Sequence, residues 1–292
     1  MHKNEDITVN KLVAMKLTVL TLFLLLNAPC VNAQVKIFKD IDYINESDYQ
    51  DDKDLLDIYL PEGKKNVPVI VYFHGGALLM GDKSWGEDIG NKLAESGIGL
   101  VSVNYRLSPN VQHPDHVKDA AAAYEWVKNN IEAYGGNPEQ IYVGGHSAGA
   151  YLAALLSVDF SLLQARGIPG SDIAGAILIS PFLYVEETAK DRIAMDSTYK
   201  SIWGTDPENW LKASVTPHIL PNRDNILLIY ADGDDAWRKE QNERFASAMR
   251  AAGNLNVSTE EVPNRTHGTI LTSILATDDK VVSLISDFIL KD

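Results

Sequence analysis

Gly145-His146-Ser147-Ala148-Gly149 sets a serine between two glycines, directly after an apolar run ending at Gly144 and before an alanine-rich stretch. A serine hydroxyl is a poor nucleophile until a base takes its proton. One device that exposes such a hydroxyl is a sharp strand-to-helix turn. In that turn the positions two before and two after the serine approach each other, so both must lack side-chain bulk. Gly145 and Gly149 meet the requirement. The chemistry this prepares is attack by Ser147 on an acyl carbonyl.

Such an attack needs donors for the developing oxyanion. His74-Gly75-Gly76-Ala77 follows the run Val69–Phe73. The backbone N–H groups of Gly75 and Gly76 carry no side-chain obstruction, and the N–H of Ala148 can point at the same spot from the start of the next helix. Together they form a candidate oxyanion hole. The base and its orienting acid follow the serine along the chain, acid first, in this arrangement. The last histidine is His267, in Pro263-Asn264-Arg265-Thr266-His267-Gly268, and it is the expected base. His218 falls in a stretch without clean strands and reads as a loop residue. The acid is expected just past Ile226–Tyr230, within Ala231-Asp232-Gly233-Asp234-Asp235. Asp232 reads as a solvated turn residue. Asp234 falls where a side chain can reach the imidazole, and Asp235 stands where it can cap the helix that starts near Ala236. His113 and His116 are three apart, but no carboxylate or cysteine cluster completes a site around them, so no metal is expected. The chemistry needs no cofactor.

The elements that must position these groups are legible as alternating patterns. Runs rich in Val, Ile and Tyr at about 35–44, 55–60, 69–73, 100–104, 141–144, 176–179, 226–230 and 257–262 read as strands. Helix-like stretches at 85–95, 116–134, 148–156, 237–252 and 281–290 fall between most of them. This order predicts an α/β architecture: a mostly parallel sheet of about eight strands with helices on both faces. The first two strands have only the acidic turn Asp48 to Asp52 between them and are expected as an antiparallel edge hairpin. From about 181 to 224 the rhythm breaks, and aromatic residues are scattered among prolines and charges. An insertion of that length reads as a lid or binding loop.

At the other end, the run Leu17–Leu26 follows Lys11 and Lys16 and leads to Ala33. This is the layout of a secretory signal peptide. It is too short for a span of ~30 Å, which takes about 20 residues. Residues 1–33 are therefore expected to be cleaved near Ala33, leaving 34–292 as one domain, secreted or periplasmic, without a stable membrane anchor. The single cysteine, Cys30, lies in that leader, so disulfides play no part. The net charge of −14 disfavours nucleic acid and anionic surfaces as partners. Asn45, Asn256 and Asn264 begin glycosylation sequons.

Taken together, these residues resemble the esterase branch of the α/β-hydrolase superfamily that includes feruloyl esterase-like, hormone-sensitive-lipase-like and kynurenine-formamidase-like enzymes. The resemblance is carried by His74-Gly75-Gly76-Ala77 with Gly81-Asp82-Lys83, by Asn104 to Pro109, by Asp119 through Trp126, and by Tyr134 to Pro138. It continues through the elbow, Trp203-Gly204, Asp234 ahead of Arg238, and Arg265-Thr266-His267. It implies the α/β-hydrolase fold and a Ser147-His267-Asp234 triad, the family's spacing favouring Asp234 over Asp235. The implied activity is hydrolysis of carboxylic esters through an acyl-enzyme. The substrate would be a small or polysaccharide-linked ester with a short acyl, acetyl or feruloyl-type group. Ala77 in place of a third glycine, and the short stretch before the first strand, point away from a lipid-like acyl preference. An amidase, peptidase or arylformamidase would use the same triad.

Overall fold

The computed structural model describes residues 34–44, 52–221, 223, 225–276 and 278–290. The expected leader with Cys30, the Asn45 sequon and most of the acidic turn lie outside the described residues. Eight strands form one sheet: β1 (Val35–Asp42), β2 (Leu55–Pro61), β3 (Val67–Phe73), β4 (Gly99–Val103), β5 (Gly136–His146), β6 (Ile173–Ile179), β7 (Ile226–Ala231) and β8 (Val257–Val262). Their spatial order is β1-β2-β4-β3-β5-β6-β7-β8. β1 pairs antiparallel with β2, and β2 with β4, while every other pairing is parallel. The helices are α1 (Glu87–Glu95), α2 (Asp115–Tyr134), α3 (Ala148–Val158), α4 (Ser161–Gln164), α5 (Val185–Met195), α6 (Lys200–Trp203), α7 (Pro207–Ala213), α8 (Ala236–Ala251), α9 (Thr269–Thr272) and α10 (Lys280–Leu290). Among the described residues no helix is long and apolar enough to cross a membrane.

The apolar runs look continuous in sequence because both faces of the sheet are covered, and successive side chains point to opposite faces. Val69, Val71 and Phe73 enter one core layer with Leu178, Leu228 and the buried faces of α2, α3 and α8. Ile70 and Tyr72 enter the other, with Ile177, Ile229, Leu93 of α1 and Ile285 of α10. A one-residue slip of any central strand would exchange its contributions to the two layers, so the register is tightly specified.

That register decides where chemistry can occur. Phe73 pairs with Gly145, His146 with Ile179, and Ile179 with Ile229. β3, β5, β6, β7 and β8 therefore stop along one edge of the sheet. The residues that follow them, Gly75, Ser147, Ser180, Asp234 and His267, are delivered to that edge by five adjacent strands, at the carboxyl ends where open α/β sheets hold ligands.

The stretch between β6 and β7 folds into α5, α6 and α7 with short 3₁₀ turns at Ser197–Tyr199 and Thr216–His218. Its anchors are apolar: Leu183, Val185, Ile202, Trp203 and Val215 are buried in the core layer beneath α3. Phe182 stacks on Tyr151 of α3 at 4.6 Å between ring centroids.

Candidate active site

Ser147 has φ 53° and ψ −113°, a region that L-residues with a side chain avoid at a cost of about 1–3 kcal/mol. The turn is held from both sides: Ser147 N–H donates to the Ile179 carbonyl (2.8 Å), and Tyr151 N–H donates to the Ser147 carbonyl (3.1 Å). A Cβ on Gly149 would overlap the carbonyl of Phe73, and one on Gly145 would sit 2.5 Å from the Gly149 carbonyl carbon. The close approach that the two glycines permit is what turns the serine outward.

Ser147 Oγ lies 2.9 Å from His267 Nε2, and His267 Nδ1 lies 2.7 Å from Asp234 Oδ1. With the imidazole proton on Nδ1, donated to the carboxylate, Nε2 is free to accept the serine hydroxyl. The Asp234 side chain is wholly buried, while that of His267 is about one-third exposed (37%). Burial opposes ionisation of Asp234, yet its hydrogen bonds from His267, the Ser180 hydroxyl (2.5 Å) and the Ala231 N–H (3.0 Å) hold its carboxyl below the ordinary value. Arg238 Nε stands 3.6 Å from the same carboxylate, and its Nη1 donates to the Ser180 carbonyl at 2.8 Å. Burial lowers the Arg238 guanidinium to about 10 against the opposing pull of Asp234, so it stays charged at neutral pH.

Of the neighbouring aspartates, Asp232 is the exposed turn residue expected, while Asp235 departs from expectation. From that exposed turn the Asp232 carboxylate also accepts the N–H groups of Asn264 (2.8 Å) and Arg265 (3.0 Å). Gly233 N–H donates to the Arg265 carbonyl (3.0 Å), so the turn after β7 is fastened to the loop that carries His267. Asp235 occupies the cap position of α8 but makes no capping hydrogen bond; its Oδ2 accepts from Trp237 Nε1 at 3.3 Å instead. Asp234, one residue earlier, is the carboxylate brought to the imidazole.

The glycine loop is shaped by a tight turn. Leu79 and Met80 N–H both reach the Gly76 carbonyl (3.0 and 3.1 Å). Ala77 and Leu78 have φ of 58° and 62°, the two left-handed positions that such turns usually give to Asn-Gly. The strain is about 1–2 kcal/mol per residue. Full burial of Leu78, with about 1.5–3 kcal/mol for a buried aliphatic side chain, offsets it. Gly76 itself has φ 111°, and a Cβ there would overlap the Met80 carbonyl. Just beyond the loop, Lys83 Nζ is held between Asp40 (2.6 Å) and Asp57 (2.7 Å), and Lys83 N–H donates to Asn104 Oδ1. This network ties the glycine loop to the edge hairpin.

Gly75, Gly76, Ser147 and His267 line one cleft of about 910 Å³. Met80 and Trp85, both more than half exposed, form an apolar flank on the glycine-loop side. Arg192 and Asp235 also line the cleft. Ala148 begins α3, where the first N–H groups of a helix have no intrahelical partner. The arrangement can remove a proton from Ser147, hold that proton on an imidazole stabilised by Asp234, and present backbone donors from two sides of the serine.

His146, between Gly145 and the serine, contributes more than packing. Its Nε2–H donates to the backbone carbonyl of His267 (2.9 Å), and the two rings lie 4.7 Å apart. Burial, then the neighbouring His267, lowers its pKa to about 3, so it stays neutral. His113 and His116 are not among the residues that line the Ser147 cleft. Burial lowers them to about 4 and about 3, and His116 Nε2 lies 3.1 Å from Ser108 Oγ. Among the described residues no group of three or more His, Cys, Asp or Glu side chains is arranged to hold a metal. Sequence reasoning missed Ser180, because nothing in a serine at a strand end announces a carboxylate 54 residues away. It also missed Arg192.

Comparison with known proteins finds esterase relatives and the same fold. The chain is 31% identical over 216 residues to a probable isoprenylcysteine alpha-carbonyl methylesterase of Oryza sativa subsp. japonica, covering 68% of this chain and 51% of the relative. It is 30% identical over 254 residues to Esterase LipQ of Mycobacterium tuberculosis, covering 81% of this chain and 59% of the relative. The chain thus spans about half the length of the curated relatives it matches. Among solved structures, a thermophilic esterase from the planctomycete Thermogutta terrifontis superposes with a TM-score of 0.69 at 26% identity, over 89% of this chain and 92% of that one. The model of the alpha/beta hydrolase fold family matches residues 70–271, and with most of its sheet and the whole of its serine-histidine constellation inside that span, the chain belongs to that family.

Proposed function

We propose that the protein is a serine esterase that hydrolyses short-chain carboxylic esters. The observation that carries the reading is the chain of contacts Ser147 Oγ to His267 Nε2 (2.9 Å) and His267 Nδ1 to Asp234 (2.7 Å), with the serine on a strained turn that lines a cleft. The esterase names of its relatives support it. His267 takes the Ser147 proton as Oγ attacks the ester carbonyl. Gly75, Gly76 and Ala148 N–H groups bind the oxyanion, and Asp234 stabilises the imidazolium. The same imidazole then protonates the leaving alcohol, and the acyl-enzyme is hydrolysed when His267 activates water.

The test is mass spectrometry of the protein during turnover of p-nitrophenyl acetate and after exposure to a fluorophosphonate. An adduct on Ser147, absent in Ser147→Ala together with activity, is the expected result. Full activity in Ser147→Ala sinks the reading, and faster cleavage of a matched anilide than of the ester would make the enzyme an amidase.

For the N-terminus, we propose that residues 1–33 are a cleaved secretory leader ahead of a single domain. A mature N-terminus near Gln34, found by sequencing protein exported from an expressing cell, is the expected outcome, and retention of residues 1–33 in the exported protein refutes it.

A further inference from the structure

Gly75 and Gly76 open the backbone after β3, and the same openness works against aim. Without a Cβ, the peptide planes beside a glycine turn with little steric restraint. An oxyanion donor helps only when its N–H points to where the charge develops. Something outside the two glycines therefore has to hold their planes.

A trans peptide carries its C=O and N–H on opposite sides, so a clamp on the carbonyl of one residue sets the direction of the next residue's N–H. The peptides at 74–75 and 75–76 are both trans. The His74 carbonyl, which shares a peptide with the Gly75 N–H, accepts the Tyr105 hydroxyl at 2.8 Å. The Gly75 carbonyl, which shares a peptide with the Gly76 N–H, accepts from His74 Nδ1–H at 2.7 Å. The two clamping side chains are themselves joined: their rings stack with centroids 4.4 Å apart and planes 16° from parallel. Both are fully buried.

Sheet register brings this pair together. Phe73 of β3 pairs with Val103 of β4, so His74 and Tyr105, just past the two strand ends, emerge side by side at the edge that carries Ser147. Gly81 leaves room for the imidazole, since a Cβ there would overlap His74 Nδ1. The ring is also confined to the form that donates. A carbonyl only accepts, so the proton sits on Nδ1, and Nε2 has no hydrogen-bond partner among the described residues. A second proton would have to sit on that partnerless nitrogen, and burial lowers the ring to about 4 against the opposing pull of the Gly75 carbonyl.

We infer that His74 and Tyr105 are positioning residues, a stacked pair that aims the Gly75 and Gly76 N–H groups at the oxyanion formed on Ser147. Neither lines the Ser147 cleft, so both act through the glycine backbone. The inference rests on the esterase reading above and names the side chains that keep its donors in line. Because an oxyanion exists only once Ser147 has attacked, the pair acts on the chemical step and not on ground-state binding.

Three substitutions test it. Tyr105→Phe removes one hydroxyl and keeps the stacked ring. His74→Leu and His74→Asn have nearly the same shape, but only the asparagine can put an N–H where Nδ1 stands. Each protein is assayed on p-nitrophenyl acetate and on the thionoacetate analogue, in which charge develops on sulfur, a poorer hydrogen-bond acceptor than oxygen. Rates are taken per active site, counted by fluorophosphonate titration. Loss of a whole oxyanion donor costs about 10²–10³, so misaiming one is expected to lower kcat on the acetate about tenfold or more in Tyr105→Phe and in His74→Leu, with KM within about twofold. The thionoacetate rate is expected to fall less, which shrinks the preference for oxygen over sulfur, and His74→Asn is expected to restore most of both.

A loss shared equally by the two esters overturns the aiming role and assigns the pair to packing alone. So does unchanged kcat in Tyr105→Phe and His74→Leu, or a His74→Asn protein as slow as His74→Leu. Should His74→Leu not fold, Tyr105→Phe decides alone by the same ratio of the two esters. In each of these cases the unsubstituted protein still cleaves p-nitrophenyl acetate and the esterase reading stands. An unsubstituted protein that cleaves neither ester overturns that reading, and this inference with it.

Discussion

His146 Nε2–H donates to the backbone carbonyl of His267 at 2.9 Å, so the residue that precedes the candidate nucleophile also holds the histidine that faces it. His146→Leu removes this donor and leaves the carbonyl unpaired beside the imidazole, a loss of about 1–3 kcal/mol for a buried polar group. The expected outcome is a fall in kcat of about tenfold with KM little changed, because the displaced group acts on the chemical step. His146→Gln keeps an N–H donor and is expected to recover part of the rate in steady-state assays on p-nitrophenyl acetate.

Ser180→Ala deletes the 2.5 Å hydrogen bond to Asp234. Losing a donor to the charged form raises the Asp234 pKa, so the acid limb of kcat/KM is expected to move to higher pH. A pH–rate profile of the two proteins checks it; superimposable limbs would deny Ser180 this role.

Asp234→Asn leaves the shape of the site but favours the wrong imidazole tautomer, and a loss on the order of 10⁴ in kcat is expected by analogy with other triads. Asp235→Asn is expected to lose far less on the same small ester. The reverse order would return the acid's role to Asp235.

Asp232→Ala cuts the two hydrogen bonds that fasten Asn264 and Arg265. Amide hydrogen exchange from Asn264 to His267 is expected to accelerate, with a parallel drop in kcat. Unchanged exchange there would show that the Gly233 N–H to Arg265 carbonyl bond suffices.

Stability is expected to fall as pH drops from about 6.5 to 4. Burial lowers His74 and His113 to about 4, and His116 and His146 to about 3. In this window the unfolded chain binds protons that the folded one refuses, so the unfolding free energy rises with pH. Four such groups give a limiting slope of about 4 × 1.4 kcal/mol per pH unit. Thermal melts between pH 4 and 7 measure it. His116→Gln, which keeps a partner for Ser108 Oγ, should lower the slope by about one proton.

The fold was legible because the strands are buried on both faces, so each stands out as a short β-branched run framed by helical periodicity. The glycines around Ser147 were legible for a steric reason that a sequence displays directly. Ser180 and Asp232 were not, since each acts through hydrogen bonds to segments 54 and 32 or more residues away. Asp235 misled as a helix cap because its oxygen turns instead to the indole of Trp237. The left-handed Ala77-Leu78 turn was equally hidden: neither residue favours that conformation, and only the burial of Leu78 explains it.

The separation between strand-end groups and the segment between β6 and β7 has an engineering consequence. Bond-breaking parts are fixed by sheet register, while Arg192, which lines the Ser147 cleft, comes from a graft between two strand termini. Transplanting residues 182–219 from a homologue should therefore change how well a given ester is accepted without retuning the nucleophile, much as a jaw is changed on a vice whose screw stays put.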